Sequence, residues 1–279
     1  MNEKRTTKNE QRATKMVVKG TILSNKEIAR DYFVMDVKAS CLGKNACPGQ
    51  FVAVKVQDNV TDPLLRVPLG IHKIRKEGIS LLYKVVGNGT RLLSRRQKGE
   101  DIDILGPLGN GFDMSAIRGK DPKVVIISGG HGIAPLYALS EMLAKNKNEI
   151  DLFMGARKKD HIIYVKELRR LGVKVHIATD DGSLGHKGPV TDLLKKFLER
   201  YTTYAVRHTI YACGPKPMLK AVSGIAKEMN IPAQVTYDEY MACGIGACRG
   251  CAVDTTEGMK LACEDGPVFD ARIIKWAER

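Results

Sequence analysis

Four of the seven cysteines crowd into the last forty residues of this 279-residue chain. Cys243, Cys248 and Cys251 stand in MACGIGACRGC, and Cys263 follows in LACEDGP, a C-x4-C-x2-C-x11-C spacing. Two irons need four thiolates, and this spacing draws three of them from one loop and the fourth from a later strand, as a [2Fe–2S] cluster requires. Such a loop curves tightly and turns its backbone N–H groups inward. Gly244, Gly246 and Gly250 are read as supplying the φ values and the close approach. The alternatives are a structural zinc site, which usually pairs its cysteines as two short hooks, and four unliganded thiols. The segment 233–279 is too short to build a core of its own, so it is expected to be stapled by whatever its cysteines hold.

The rest of the chain divides by pattern. Residues 1–14 read as a disordered tail. From 15 to 118, short apolar or β-branched runs (Gly20–Leu23, Tyr32–Val37, Phe51–Val56, Ile79–Val86) are separated by Gly, Pro and Asn, which predicts a closed β-barrel. From 119 to 232, buried strand-like runs at Val124–Ile127, Ile150–Met154, Val173–Ala178 and Thr209–Ala212 alternate with helical stretches at Ala134–Lys145, Tyr164–Leu171, Val190–Glu199 and Lys216–Met229. That alternation predicts a parallel doubly wound sheet.

Three loops of that sheet bear chemistry. Gly129-Gly130-His131-Gly132 joins a strand to a helix start, the arrangement that sets a pyrophosphate against helix N–H donors. Asp180, in Thr179–Ser183, and Cys213-Gly214-Pro215 follow other strands of the same sheet. Ligands bind outside the carboxyl ends of such strands, so the three loops are expected to converge on a dinucleotide. Arg157, Lys158 and Lys159 leave NAD against NADP open. A nicotinamide gives up two electrons as hydride and a [2Fe–2S] cluster takes one at a time, so a flavin is expected between them. Its candidate contacts lie in the barrel, at Arg66, Pro68, Leu69, Gly70, Leu82, Tyr83, Lys84, Gly89 and Thr90.

The net charge is +14, with segment 233–279 at −3 and the remainder at +17, and no nucleic-acid motif accompanies it. Solvated Lys faces are one account of it, and attraction to anionic dinucleotides or an acidic partner is the other. There is no apolar run of membrane-spanning length and no secretory pattern at the start. With an odd cysteine count, that points to a reducing, cytoplasmic setting without a disulfide framework. Nucleic acid and membrane are not expected partners.

The stretches TDPLLRVPLGI, LLYKVVGNGTRLLS, ILGPLGNGF, SGGHGIAPLYAL, GARKKD, TDDGSLGHKGPVTDLL, YACGPKPML, MACGIGACRGC and CEDGPVFDA, in this order, resemble the electron-transfer subunit of class 1B dihydroorotate dehydrogenase, within the ferredoxin–NADP reductase superfamily. The resemblance covers about residues 16–275. It implies an FAD-binding β-barrel, a ferredoxin reductase-like α/β NAD domain and a small C-terminal [2Fe–2S] domain. It also implies a partner, an FMN-containing dihydroorotate dehydrogenase catalytic subunit in a heterotetramer with two of each chain. Electrons would pass from FMN through the cluster and FAD to NAD, in pyrimidine biosynthesis. By position, Cys243, Cys248, Cys251 and Cys263 match the cluster ligands. No residue stands out as a catalytic acid or base. Two positions depart from the family's usual Arg-Arg-Pro-Ile-Ser: Val67 replaces the second Arg and Gly70 replaces the Ser, with Arg66 or Lys84 as substitute cations. Rival readings are the small subunit of NADH-dependent ferredoxin:NADP oxidoreductase (sulfide dehydrogenase), where an Asp usually stands in place of Cys243, and the flavin subunit of sulfhydrogenases or anaerobic sulfite reductases. A zinc-stapled nucleotide-binding module or redox sensor is the non-enzymatic one.

Overall fold

The computed structural model describes residues 16–57, 62–115, 117, 123–200 and 208–276. The expected tail, 1–14, and the expected boundary at 118/119 lie outside them.

Six antiparallel strands close a barrel in the order β1-β2-β5-β4-β3-β6. They are β1 (Met16–Ala29), β2 (Tyr32–Lys38), β3 (Phe51–Lys55), β4 (Val67–Arg75), β5 (Gly78–Lys84) and β6 (Asp101–Leu108). Alternate residues fill the inside, among them Met35 and Val37, Val52 and Val54, Leu69 and Ile71, Ile102 and Ile104. Two short helices bridge strands, α1 (Ser40–Asn45) and α2 (Asn88–Ser94).

The second layer is a seven-stranded sheet in the order β10-β9-β8-β7-β11-β12-β15. Its strands are β7 (Lys123–Gly129), β8 (Glu149–Ala156), β9 (Lys174–Thr179), β10 (His186–Lys187), β11 (His208–Cys213), β12 (Ala233–Thr236) and β15 (Val268–Asp270), covered by helices α3 (Ile133–Lys145), α4 (Val165–Arg170), α5 (Val190–Glu199) and α6 (Lys216–Glu228). All pairings are parallel except β12 with β15. A hairpin of β13 (Ala252–Thr255) and β14 (Gly258–Leu261) lies between β12 and β15 in the chain.

The boundary expected at 232/233 falls where the sheet continues. β12 pairs with β11, and β15 returns from beyond the cysteine loop to pair with β12. Cys251, Val253, Ala262, Cys263 and Phe269 belong to the same buried cluster as Val125, Ile127, Ile210 and Leu219. The C-terminal segment therefore does not depend on a staple alone, because it borrows the core of the sheet.

Helix α3 is buried on nearly every side, from Ile133 to Ser140 and at Leu143. Over its first two turns the helix has no solvent face: the sheet lies on one side and β4 of the barrel on the other. His72 on β4 makes the joint. Its Nδ1 donates to the Ala134 carbonyl at 3.1 Å, and its ring lies 4.7 Å from that of Tyr137. Burial pushes its pKa down to about 3, outweighing the hydrogen bond to Ala134. The imidazole is thus neutral in the fold but takes a proton in the unfolded chain below about pH 6.5. Its contribution is whole above that pH and is lost as pH falls toward 3, by about 1.4 kcal/mol per unit. Urea unfolding at pH 7.5 and 5 is expected to differ by about 2 kcal/mol more in the native chain than in His72→Gln. Equal differences would remove His72 as the source.

Among the described residues, no helix is long and apolar enough to cross a membrane.

Candidate functional site

Strand β7 runs into Gly129, and Gly130 takes φ +55 to start the turn before α3. Gly132 does something different. A Cβ there would stand 2.6 Å from the Cys213 carbonyl carbon. The start of α3 thus lies directly against the end of β11, an approach only glycine permits. Gly214 is alike, since a Cβ would come within 2.9 Å of the Gly129 backbone.

Above the carboxyl ends of β7, β8 and β9 opens a cavity of about 490 Å3. Gly129, Gly130, Gly155, Arg157 and Asp180 line it, with Val190, Pro215 and Met218. All three expected loops therefore reach it, the third through Pro215. Gly132 and Gly214 stand behind its wall, and Cys213 faces another space.

That space is a second cavity, of about 440 Å3, between barrel and sheet. Pro68, Leu69, Gly70, Leu82, Tyr83, Lys84 and Thr90 line it from the barrel, with Cys213, Ala134 and Pro135 from the sheet side. Lys84 and His131 line both cavities, so the two spaces share a wall. The Tyr83 hydroxyl is spent inside the barrel, on Asn25 Oδ1 at 2.9 Å. The Thr90 hydroxyl caps α2, accepting from the N–H groups of Val86 and Gly87 at 3.0 and 3.2 Å. Gly89 is outside the lining; a Cβ would sit 2.7 Å from Val67 Cγ2.

Arg66 stands apart from the other expected flavin contacts. It lines neither cavity, and its guanidinium binds Asp103 on β6 at 3.0 Å. Arg66 stands just before β4, and its side chain is taken up by the carboxylate of β6. Lys84 is left as the barrel's cation in the cavity lining.

In the cysteine loop, backbone donors point at sulfur. Cys243 Sγ accepts from the N–H of Ile245 at 3.5 Å and of Cys248 at 3.3 Å, and Cys263 Sγ accepts from Gly246 at 3.2 Å. Cys251 Sγ lies 3.2 Å from Cys263 Sγ and accepts from the Cys263 N–H at 3.4 Å. The sulfurs sort into two neighbouring pairs, 243 with 248 and 251 with 263. Two irons with two cysteines each fit that sorting better than one tetrahedral ion. Burial pushes the Cys243 thiol up, but the N–H groups of Cys248 and Ile245 outweigh it and bring it to about 7. Burial raises Cys263, and the neighbouring Cys251 sulfur adds to the rise. Gly244 and Gly246 take φ +70 and +86 as expected, whereas Gly250 does not; Arg249 takes the left-handed conformation, at φ +57.

Two residues of the second cavity, Thr236 and Asp238, carry no signal in the sequence. Thr236 is buried, with its hydroxyl beside the Cys213 thiol. Asp238 comes two residues later, open to the cavity, and desolvation by the protein around it raises its carboxyl against the pull of His131 and Lys216. No motif marks these positions; only the continuation of β12 toward the cavity does. His131, in the Gly-rich turn where the resembled family usually has Ile, borders both cavities.

The segment 238–275 matches the family model described as the iron-sulfur cluster binding domain of dihydroorotate dehydrogenase B, and 126–224 matches the oxidoreductase NAD-binding domain. The electron transfer subunit of dihydroorotate dehydrogenase B (NAD(+)) from Desulforamulus reducens is 38% identical over 255 residues, 89% of this chain and 94% of that one. Its namesake from Geobacillus kaustophilus is 38% identical over 90% of this chain and 95% of that one. Among solved structures, a chain of the NADH-dependent reduced ferredoxin-NADP oxidoreductase superposes with a TM-score of 0.80 at 32% identity, over 92% of this chain and 90% of that one. A ferredoxin NADP+ reductase from Neisseria gonorrhoeae, with bound FAD and NADP, shares the fold at a TM-score of 0.65 and 16% identity, over 81% of this chain and 94% of that one.

Proposed function

The chain belongs to the electron transfer subunits of dihydroorotate dehydrogenase B, and from that premise we propose that it carries electrons between a dihydroorotate-oxidising partner chain and NAD. The observation that carries this reading is the closeness of the three sites. The cavity between barrel and sheet shares Lys84 and His131 with the dinucleotide cavity. On its other side Tyr240 and Met241, which lead into Cys243, line the same space. The loop also rests on the barrel, where a Cβ on Gly244 would lie 3.3 Å from Leu108 Cδ1.

FAD in that cavity supplies the exchange between a two-electron hydride carrier and a one-electron cluster. Pro68, Leu69, Gly70, Leu82 and Tyr83 wall it, and Lys84 offers a cation to the anionic ends of both dinucleotides. Gly129 and Gly130 bring the turn close to the NAD pyrophosphate, and Asp180 lines the cavity where an adenosine ribose can be held. The relatives' names support NAD rather than NADP. Cys243, Cys248, Cys251 and Cys263 hold a [2Fe–2S] cluster, with N–H groups stabilising their thiolates. The partner in this reading contains FMN, two copies of each chain assemble, and the work is done in the cytoplasm.

The structure related at 32% identity favours a second reading, the small subunit of an NADH-dependent reduced ferredoxin–NADP oxidoreductase. Cys243 speaks for the first: its sulfur receives backbone donors as the other cluster sulfurs do. Co-expression separates the two. A complex with a dihydroorotate-oxidising chain is expected to reduce NAD on dihydroorotate, and to stop when this chain is left out. If NAD reduction is indifferent to this chain, or appears only with a ferredoxin-dependent partner, the first reading fails.

A further inference from the structure

Thr236 ends β12, and Asp238 comes two residues later, so alternation along the extended chain sends both side chains the same way. Both line the cavity assigned to FAD. Most other polar groups of that lining are engaged. Tyr83 and Thr90 are bound within the barrel, and Glu239 is held by Lys216. Gly70 brings no side chain, although a Cβ there would make only ordinary contact with Pro135 at 3.5 Å. The buried Thr236 hydroxyl lies beside the Cys213 thiol, with no stronger partner among the described residues. Asp238 is in none of the described ion pairs, and the groups that act on it are His131 and Lys216, which favour its charge, and Glu239, which opposes it. The buried Cys213 thiol is its further neighbour. Since His131 borders both cavities, Asp238 stands by the wall through which hydride passes.

Electron bookkeeping gives this carboxyl a task. Each hydride that leaves for NAD carries two electrons and a proton. The cluster supplies the electrons singly and supplies no proton. One proton per turnover must therefore come from an acid beside the flavin, and one must return to a base there when electrons run the other way. Resting on the functional reading above, we infer that Asp238 is the proton-transfer residue of the flavin. As a carboxylic acid it gives its proton as the two cluster electrons arrive. The hydride then leaves, NAD becomes NADH, and the carboxylate is reprotonated from water at the open side of the cavity. Reversal takes the proton back. Asp238 is open to the cavity, and the protein crowded around it still raises its carboxyl, the direction a neutral acid needs.

The test uses the complete complex with FAD and cluster, in single turnovers as a function of pH. NADH first reduces the flavin, a step that brings its own hydrogen, and a one-electron acceptor then reoxidises it, a step that must release a proton. Asp238→Asn is expected to keep its FAD and to accept hydride within about 3-fold of the native rate. Its reoxidation is expected to slow by about 100-fold, the range of general acid–base catalysis, and to lose its pH dependence. Asp238→Glu restores both. In the native complex, a solvent deuterium isotope effect should fall on reoxidation and not on hydride entry, a readout that needs no variant. A native pH profile in Asp238→Asn, equal slowing of both steps, loss of FAD from that variant, or an isotope effect absent from reoxidation would each overturn the assignment. If the native complex holds no FAD, or NADH does not bleach it, the functional reading itself fails instead.

Discussion

Cys251→Ser is expected to abolish NAD reduction by the partner while sparing the flavin's own exchange with NADH. Cys251 is 1% exposed and packs in the core with Val253, Ala262 and Phe269. Its sulfur forms the inner pair with Cys263. A serine oxygen is smaller, harder and protonated at neutral pH, so it is a poor iron ligand where thiolate is called for. The hydroxyl would also sit in an apolar pocket without the charge-assisted contacts that a thiolate draws from N–H groups, at a cost of about 1–3 kcal/mol. The flavin and dinucleotide cavities use no atom of Cys251. The cluster's visible absorbance should vanish and dihydroorotate-dependent NAD reduction should fall by at least about 100-fold, the scale set by removing an electron relay rather than tuning one. Reduction of an artificial acceptor by NADH through the flavin should stay within a few-fold. If dihydroorotate-dependent reduction survives at the native rate, electrons do not pass through these cysteines.

How much of this was legible in the sequence depends on how each element is buried. The α/β half reads cleanly because its strands are covered on both faces and become continuous apolar runs. Its helix Val190–Glu199 shows Val190, Leu194 and Leu198 on one face, and it stands where expected. In the barrel, β6 was missed: Asp101 and Asp103 face outward, and Gly106-Pro107 reads as a turn although it lies in a strand. The six-residue α1 and seven-residue α2 are too short to show a helical period, and Asn88-Gly89 looks like a turn signal at what is a helix start. The cluster ligands were legible because spacing along the chain is itself the chemistry. The pairing of Arg66 with Asp103 was not legible, because a motif names neighbours in sequence and not the partner that a side chain finds across the barrel. Asp238 was invisible for a like reason: its position depends on β12 joining the sheet beside β11, a contact between residues far apart in sequence.

The same logic separates two glycines that a motif would treat alike. Gly130 has φ +55 and open space where a Cβ would go, so Gly130→Ala meets only backbone strain, about 1–2 kcal/mol. Gly132 has an ordinary helical backbone, with φ −58, but a Cβ there runs into the carbonyl of Cys213. Backbone on both sides cannot move as a flexible side chain can, so α3 and the end of β11 must part. Overpacking of this kind costs about 1–3 kcal/mol for one added group, and more for a branched one. The displaced parts are functional: Gly129 and Gly130 line the dinucleotide cavity just before the contact, and Cys213 with Ala134 lines the flavin cavity just after it. Gly132→Val should therefore lower the melting temperature by several degrees and weaken NADH binding at least about 10-fold, with partial loss of FAD. Gly130→Ala should lose less of each, and its FAD should stay. Titration of NADH against both variants decides the point: equal weakening would mean that the turn's conformation, not the contact between helix and strand, shapes the site.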